Sequence, residues 1–269
     1  MIVVKVGGGE GNSIDGVCED IAELSKQGRQ VILCHGGSHL TNKLSEQLDY
    51  PPQFVTSPSG FTSRYTDRRT MEIFQMAYCG ATNKAIVEKL QKLGVNAVGL
   101  SGMDAGIWRG PRKKAIRAVE NGKTRVIRDN LTGKVEQVNS QFLKTLLEQG
   151  MLPVLTPPAI SDEGDPINVD GDRAAAATAK ALAADELVIL SNIPGLLRDV
   201  NDESSLVDEL KIENLEEAIE ELAVGRMRIK ILASGEAVKS GVGRVVIGDS
   251  RLDNCLQAAL DGKGTIISS

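Results

Sequence analysis

The chain opens Met1-Ile-Val-Val-Lys5-Val-Gly7-Gly8-Gly9-Glu10-Gly11. Ile2, Val3, Val4 and Val6 surround one lysine, and three consecutive glycines follow at once. Glycine costs backbone entropy and supplies no packing, so such a run marks close approach of the backbone to something. A tight strand-to-helix turn accounts for the glycines alone. A phosphate cradle with Lys5 aimed into it accounts for the glycines and the lysine together. The arrangement then recurs: residues 30–34 read as a second strand and run into Cys34-His35-Gly36-Gly37-Ser38. Ligands of open α/β sheets bind beyond the carboxyl ends of strands, where both glycine clusters stand. Side by side, these strands bring their free N–H groups together beside helix N-termini, a place suited to a polyanion.

Outward from these two loops, short β-rich runs alternate with longer helical patterns. Ile2–Val6 is the first strand and 15–27 an amphipathic helix; 40–48 is a helix and 51–63, rich in Pro, Ser and Thr, a loop. One long helix is expected over 67–93 and a strand over 95–100. Residues 174–184 form an alanine-rich helix, 187–190 a strand and 191–195 a loop, before a helix at 227–239 and strands at 244–247 and 265–267. Two hairpins interrupt the alternation, one over 114–128 turning at 120–123, where Asn121-Gly122 is a strong turn signal, and one over 159–168 turning at 162–165. The pattern predicts an α/β fold: a three-layer αβα sandwich with a mostly parallel central sheet. Two lobes sharing that sheet are expected, residues 1–167 and 168–269.

The 269 residues carry a net charge of −5, which argues against general nucleic-acid affinity. No apolar run approaches a membrane span and no signal peptide is visible, so a cytoplasmic protein is expected. Cys18, Cys34, Cys79 and Cys255 lie far apart without a C-x-x-C pair, as free thiols do in a reducing compartment. With only His35 and His39, a histidine-rich metal site is excluded and a His-based triad is disfavoured. Neither G-x-x-x-x-G-K-[ST] nor G-x-G-x-x-G occurs, and the protein-kinase motifs are absent, so any phosphate binder here is of another kind.

Val4-Lys5-Val-Gly-Gly8, His35-Gly-Gly-Ser38, Asn168-Val-Asp-Gly-Asp172 and Gly225-Arg-Met-Arg-Ile-Lys230 resemble the motifs of the amino acid kinase family, in order and spacing from end to end. The chain looks closest to the acetylglutamate kinase branch, and within it to kinases acting on glutamate or 2-aminoadipate attached to the carrier protein LysW. The stretch from Ser59 to Asp67 and Thr156-Pro-Pro-Ala159 support that placement. The resemblance implies phosphoryl transfer from ATP, with Mg2+ carried by the nucleotide, to a side-chain carboxylate. Such a nucleophile is already ionised and needs no general base; the reaction needs charge neutralisation and in-line positioning.

By that resemblance Lys5 and Lys230 flank the transferring group, Gly8 and Gly37 donate N–H groups to it, and Asp172 orients both lysines. Gly36, Gly37, Arg64 and Asn168 would hold the acceptor, the arginine fork matching a carboxylate. Lys5, Gly7, Gly8, Ser191, Asn192, Gly195, Met227 and Lys230 would hold the nucleotide. Each residue also has a plainer role open to it. Lys5 could snorkel, Asp172 could cap the following helix, Arg64 could be a solvated charge, and Lys230 could belong to an exposed basic helix face. Ser38 stands where many acetylglutamate kinases have a third glycine, which suggests altered contacts near the substrate or a donated hydroxyl.

One feature stands without any family. Arg109, Arg112, Lys113, Lys114, Arg117, Lys123, Arg125 and Arg128 face only Glu120 across 109–128, a local excess of +7 against −12 for the rest. Such an excess points to an acidic partner. No aromatic residues are interleaved for base stacking, so nucleic acid fits less well than an acidic carrier protein delivering its modified terminus. The expected assembly is a homodimer joined through the 67–93 helix, without the extra N-terminal helix of the arginine-inhibited family members. Two alternatives stay open: an acetylglutamate kinase for the free compound, and a non-catalytic nucleotide-binding sensor.

Overall fold

The computed structural model describes residues 1–58, 60–120, 123–223 and 225–269. The hairpin turn expected at Asn121-Gly122 lies outside them. An eight-stranded sheet runs through the molecule in the order Glu209–Lys211, Thr265–Ser268, Arg244–Asp249, Glu186–Ser191, Ile2–Val6, Val31–His35, Leu152–Thr156, Ala97–Ser101. All neighbours are parallel except Thr265–Ser268 against Arg244–Asp249. The opening strand sits in the middle, with Ile2 to Val6 opposite Glu186 to Leu190 on one side and Val31 to His35 on the other.

Strand alternation builds the three layers. Val3, Ile32, Leu187 and Ile189 join one apolar layer with helices Ser140–Glu148, Gly171–Leu182 and Arg226–Lys239. Ile2, Val4, Val6, Val188 and Leu190 join the other, with helices Asp15–Lys26, Asn83–Lys92 and Cys255–Leu260. Both faces being covered, the central strands are apolar nearly throughout. Lys5 breaks that run on the face of Val3, the face of helices Gly171–Leu182 and Arg226–Lys239. Its position in the alternation alone therefore sends it toward Asp172 and Lys230.

Two four-stranded sheets flank the main one. Pro166–Ile167, Ala159–Ser161, Trp108–Gly110 and Gln137–Val138 form the first, over a fully buried Trp108 whose Nε1–H donates to Thr178 Oγ1 at 2.9 Å. Thr62–Arg64, Phe54–Thr56, Ile116–Glu120 and Lys123–Ile127 form the second. The 51–63 region, expected as a loop, thus contains two three-residue strands, which owe their order to pairing with each other and with the basic hairpin. The expected long helix runs unbroken as Arg68–Gln75, a π-helical segment Met76–Thr82, and Asn83–Lys92. Asp67 caps its start by accepting from Thr70 N at 2.8 Å. No helix among the described residues is long and apolar enough to cross a membrane.

Candidate active site

Asp172 lies between the two lysines. Its Oδ2 accepts from Lys230 Nζ at 2.8 Å, and its Oδ1 stands 2.5 Å from Lys5 Nζ, an ion pair without an aligned hydrogen bond. All three side chains are buried, between 6% and 8% exposed. Burial works against every charge here, and the shared partner decides the balance. Burial pushes the Asp172 carboxyl up, but the Lys5 and Lys230 ammoniums together hold it well below the usual carboxylate range. Burial drags Lys5 down, yet Asp172, with Asp170 behind it, leaves that ammonium raised; Lys230 stays lowered, because burial and the charge of Lys5 outweigh Asp172. The cluster thus sets two lysine side chains around one carboxylate, largely out of contact with bulk solvent.

The helix cap read as a plainer role for Asp172 belongs instead to Asp170, whose carboxylate accepts from Arg173 N at 2.9 Å. Asp172 is two residues further in, inside the first turn, with its side chain turned to the lysines. Lys230 comes from helix Arg226–Lys239, which starts at Gly225 with φ +56°, a conformation that side chains rarely adopt. It is buried rather than on an exposed basic face.

The two glycine loops meet across the strand ends. A Cβ on Gly8 would lie 2.0 Å from Gly37 N and 2.2 Å from Gly36 C, so only glycine permits this approach. Gly7 N–H and Gly36 N–H are spent on Leu190 O and Val6 O, at 3.0 and 3.1 Å. Ser38 ties the loops further, its hydroxyl donating to Gly8 O at 3.0 Å while His39 N–H donates to the same carbonyl at 2.8 Å. The hydroxyl thus braces backbone to backbone. Asn12 holds the other side of the first loop, donating to Gly9 O at 3.1 Å and accepting from Ser250 Oγ at 3.0 Å.

Arg64 is 8% exposed and approaches from the flanking sheet. Its Nη2 donates to Asn42 Oδ1 at 2.5 Å, its guanidinium lies over the Phe54 ring at 5.2 Å, and its Nη1 is buried with no hydrogen-bond partner among the described residues. A buried, unpaired guanidinium nitrogen is costly unless an acceptor is brought to it. A substrate carboxylate fits that requirement. Asn168 is positioned by its own backbone, donating to Leu131 O at 2.8 Å, and by Nδ2–H donating to Thr66 Oγ1 at 3.1 Å.

Of the residues assigned to the nucleotide, Ser191 ends a central strand and Asn192 donates to Glu10 O at 3.2 Å, which brings both to the first glycine loop. Gly195 and Met227 face inward. A Cβ at Gly195 would meet Thr265 Oγ1 at 2.6 Å, and Met227 belongs to the apolar layer.

In the basic hairpin, Lys113, Lys114, Arg117 and Lys123 are exposed, as is Arg125. Arg112 is committed to the fold, donating to Asp165 at 3.1 Å and to the carbonyls of Arg128 and Asn130 at 3.3 and 3.4 Å. Arg109 reaches Ser161 O at 3.4 Å. The hairpin pairs through Val119 with Thr56, in the strand that pairs with the one ending at Arg64.

Sequence reasoning had no signal for Asn42, Thr66 or Tyr78, the last stacked on Phe74 beside Gly37. Asn42 accepts from Arg64 and Thr66 from Asn168, partners brought together across distances no local spacing encodes.

Buried lysines sharing one aspartate over a double glycine cradle define a phosphotransferase of the amino acid kinase family. The profile of that family matches residues 1–249, and the chain belongs to it. Like the family's kinases, it uses ATP as phosphoryl donor. It is 57% identical over 268 residues to the LysW-aminoadipate kinase of Deinococcus radiodurans, covering 100% of this chain and 91% of that protein. It is 52% identical over 268 residues to the LysW-aminoadipate kinase of Thermus thermophilus, covering 99% and 100%. The fold is also that of Giardia carbamate kinase, with a TM-score of 0.69 at 17% identity over 100% of this chain and 98% of that one.

Proposed function

We propose that the protein transfers the terminal phosphoryl group of ATP to the side-chain carboxylate of 2-aminoadipate, or of glutamate, attached to LysW. The product is an acyl phosphate, on the route to lysine or arginine. Identities of 57% and 52% to LysW-aminoadipate kinases support the 2-aminoadipate arm first.

The observation that carries the acceptor assignment is the flanking sheet, which joins the basic hairpin to the strand ending at Arg64. An acidic carrier docked on Lys113, Lys114 and Arg117 would bring its terminal residue to the partnerless nitrogen of Arg64. Asn168 stands ready for the acylated amino group. The carboxylate attacks as it is. Lys5 and Lys230 neutralise charge that develops on the transferring group, and Gly8 and Gly37 offer it backbone N–H groups. Asp172 keeps the lysines in place. Mg2+ arrives with ATP and keeps mostly water and phosphate ligands.

On this reading residues 1–167 form the acceptor lobe and 168–269 the nucleotide lobe, each supplying four strands of the main sheet. The enzyme works in the cytoplasm as a homodimer joined along the helix from Arg68 to Lys92, whose Met76 is 51% exposed.

The test is acyl-phosphate formation, trapped as hydroxamate, with ATP and magnesium. LysW-linked 2-aminoadipate, LysW-linked glutamate and free N-acetylglutamate are compared at equal concentration. Turnover confined to the conjugates is expected. Equal or better turnover of the free acid would overturn the carrier reading.

A further inference from the structure

Tyr78 occupies the π-helical segment Met76–Thr82 and is 9% exposed. A π turn takes in one residue more than an α turn and re-aims the side chains beyond it, and such insertions collect at functional sites. The ring stacks on Phe74 with centroids 3.8 Å apart and planes within 15°. Its edge closes on the second glycine loop, where a Cβ at Gly37 would come within 2.9 Å of Cδ2. Stack and loop together fix the direction of the phenol.

Besides burial, the groups that act electrostatically on that phenol are donors or cations: the Gly37 N–H, Arg64, Lys5 and Arg226. Burial pushes the phenol upward against their pull, so it keeps its proton at neutral pH. Among the described residues no protein group accepts that proton. A buried O–H under the influence of positive charge, with no acceptor among the described residues, is suited to donation to an incoming anion. Lys5 and Gly37 mark the transfer end of the site and Arg64 the far end of the acceptor, so the anion in between is the carboxylate about to react.

We propose that Tyr78 Oη donates a hydrogen bond to one oxygen of the acceptor's side-chain carboxylate while the other oxygen attacks phosphorus. The new bond is carboxylate oxygen to γ-phosphorus; the bond that breaks joins that phosphorus to the bridging oxygen, whose electron pair leaves with ADP. No proton moves, and Tyr78 remains protonated. This assignment rests on the carboxylate-kinase reading and adds a contact that orients the nucleophile.

Tyr78→Phe tests it, because phenylalanine keeps the stack on Phe74 and the packing on Gly37. A hydrogen bond to a charged group of this kind corresponds to a loss of about 10- to 100-fold in kcat/KM for the acceptor. The KM for ATP and the thermal midpoint are expected to stay unchanged. The proposal falls if kcat/KM for the acceptor stays within threefold of wild type. It falls equally if the loss comes with a matching rise in KM for ATP or a lowered thermal midpoint, which would assign Tyr78 to packing. The comparison is made with whichever of the three acceptors the wild-type enzyme phosphorylates. Failure of the LysW assignment is read from the wild type, and failure of the Tyr78 assignment from the variant.

Discussion

Gly8 and Gly37 approach so closely that one added methyl group on Gly8 would stand 2.0 Å from the Gly37 nitrogen. The obstructing atoms are backbone, which cannot swing aside as a long side chain can. Gly8→Ala must therefore push the two loops apart. Overpacking of this kind costs about 1–3 kcal/mol, and displacement of the cradle is expected to lower kcat by at least about 100-fold. Denaturant unfolding and steady-state kinetics on the same preparation check both parts.

The three-charge cluster makes separate predictions for stability and activity. Asp172→Asn leaves two buried ammoniums side by side without their anion, and breaking a buried pair in this way costs about 3–5 kcal/mol. Lys5→Met leaves Asp172 still bonded to Lys230, so its stability loss is smaller. Both variants are expected to lose at least about 100-fold in kcat. Urea midpoints ranked wild type, Lys5→Met, Asp172→Asn would bear out this division. A reversed order would mean that the lysines, not the carboxylate, hold the cluster together.

For the hairpin, the structure separates surface charge from framework charge. Lys113, Lys114 and Arg117 are exposed, whereas Arg112 bonds Asp165 and two carbonyls. Reversing Lys113, Lys114 and Arg117 to glutamate is expected to raise KM for the carrier-linked acid about 10-fold or more. The difference should shrink as salt rises, because exposed charges are screened. KM for ATP and the thermal midpoint should not move. Arg112→Glu, by contrast, is expected to lower the thermal midpoint.

His35 ties stability to pH. It is 1% exposed, with Nδ1 on Gly36 O at 2.9 Å and Nε2 accepting from Asn83 Nδ2 at 3.0 Å, so the proton is assigned to Nδ1. Burial above all, helped by the charges of Lys5 and Lys84, pulls its pKa from 6.5 down to about 4. The unfolded chain takes up a proton in that interval and the folded chain refuses it. The contribution of His35 is thus whole above pH 6.5 and lost as pH falls toward 4, a matter of about 3 kcal/mol. Asp172 acts lower: its depressed carboxyl contributes above pH 3.8, and that contribution is lost only below. Unfolding free energy measured from pH 7 to 4.5 should fall steeply in wild type and more gently in His35→Gln.

The parts of this molecule that were legible in the sequence are those whose signal is local. Ile2–Val6 matches its expected bounds because a strand buried on both faces reads as an apolar run closed by glycine. The Ile116–Glu120 and Lys123–Ile127 hairpin was equally plain from its pattern. Phe54–Thr56 and Thr62–Arg64 were not, since three polar-flanked residues become strands only when a distant hairpin offers an edge. Leu152–Thr156 is not among the expected strands although it is wholly buried; Pro153 argues against an inner strand, and it is accommodated near the strand's start. Helix Ser140–Glu148, capped by Asn139, is likewise not among the expected elements. At the site, Lys5 and the glycine loops announced themselves by composition. The roles implied for Arg64 and Lys230 came only from the family, and their burial could be seen only in three dimensions.

The central place of Ile2–Val6 has a consequence for biosynthesis. One flank of the strand finds its partner once residue 35 has been made, but the other waits for Glu186–Ser191. Chains are extended at about 5–20 residues per second, so on the order of ten seconds pass between those events. For that interval the nascent polypeptide would carry an unzipped apolar edge with Lys5 in it, and Asp172 is made only near its end. An unpaired edge of this kind invites aggregation, so shielding it, by a chaperone or by the forming helices, is expected to favour the yield of intact enzyme.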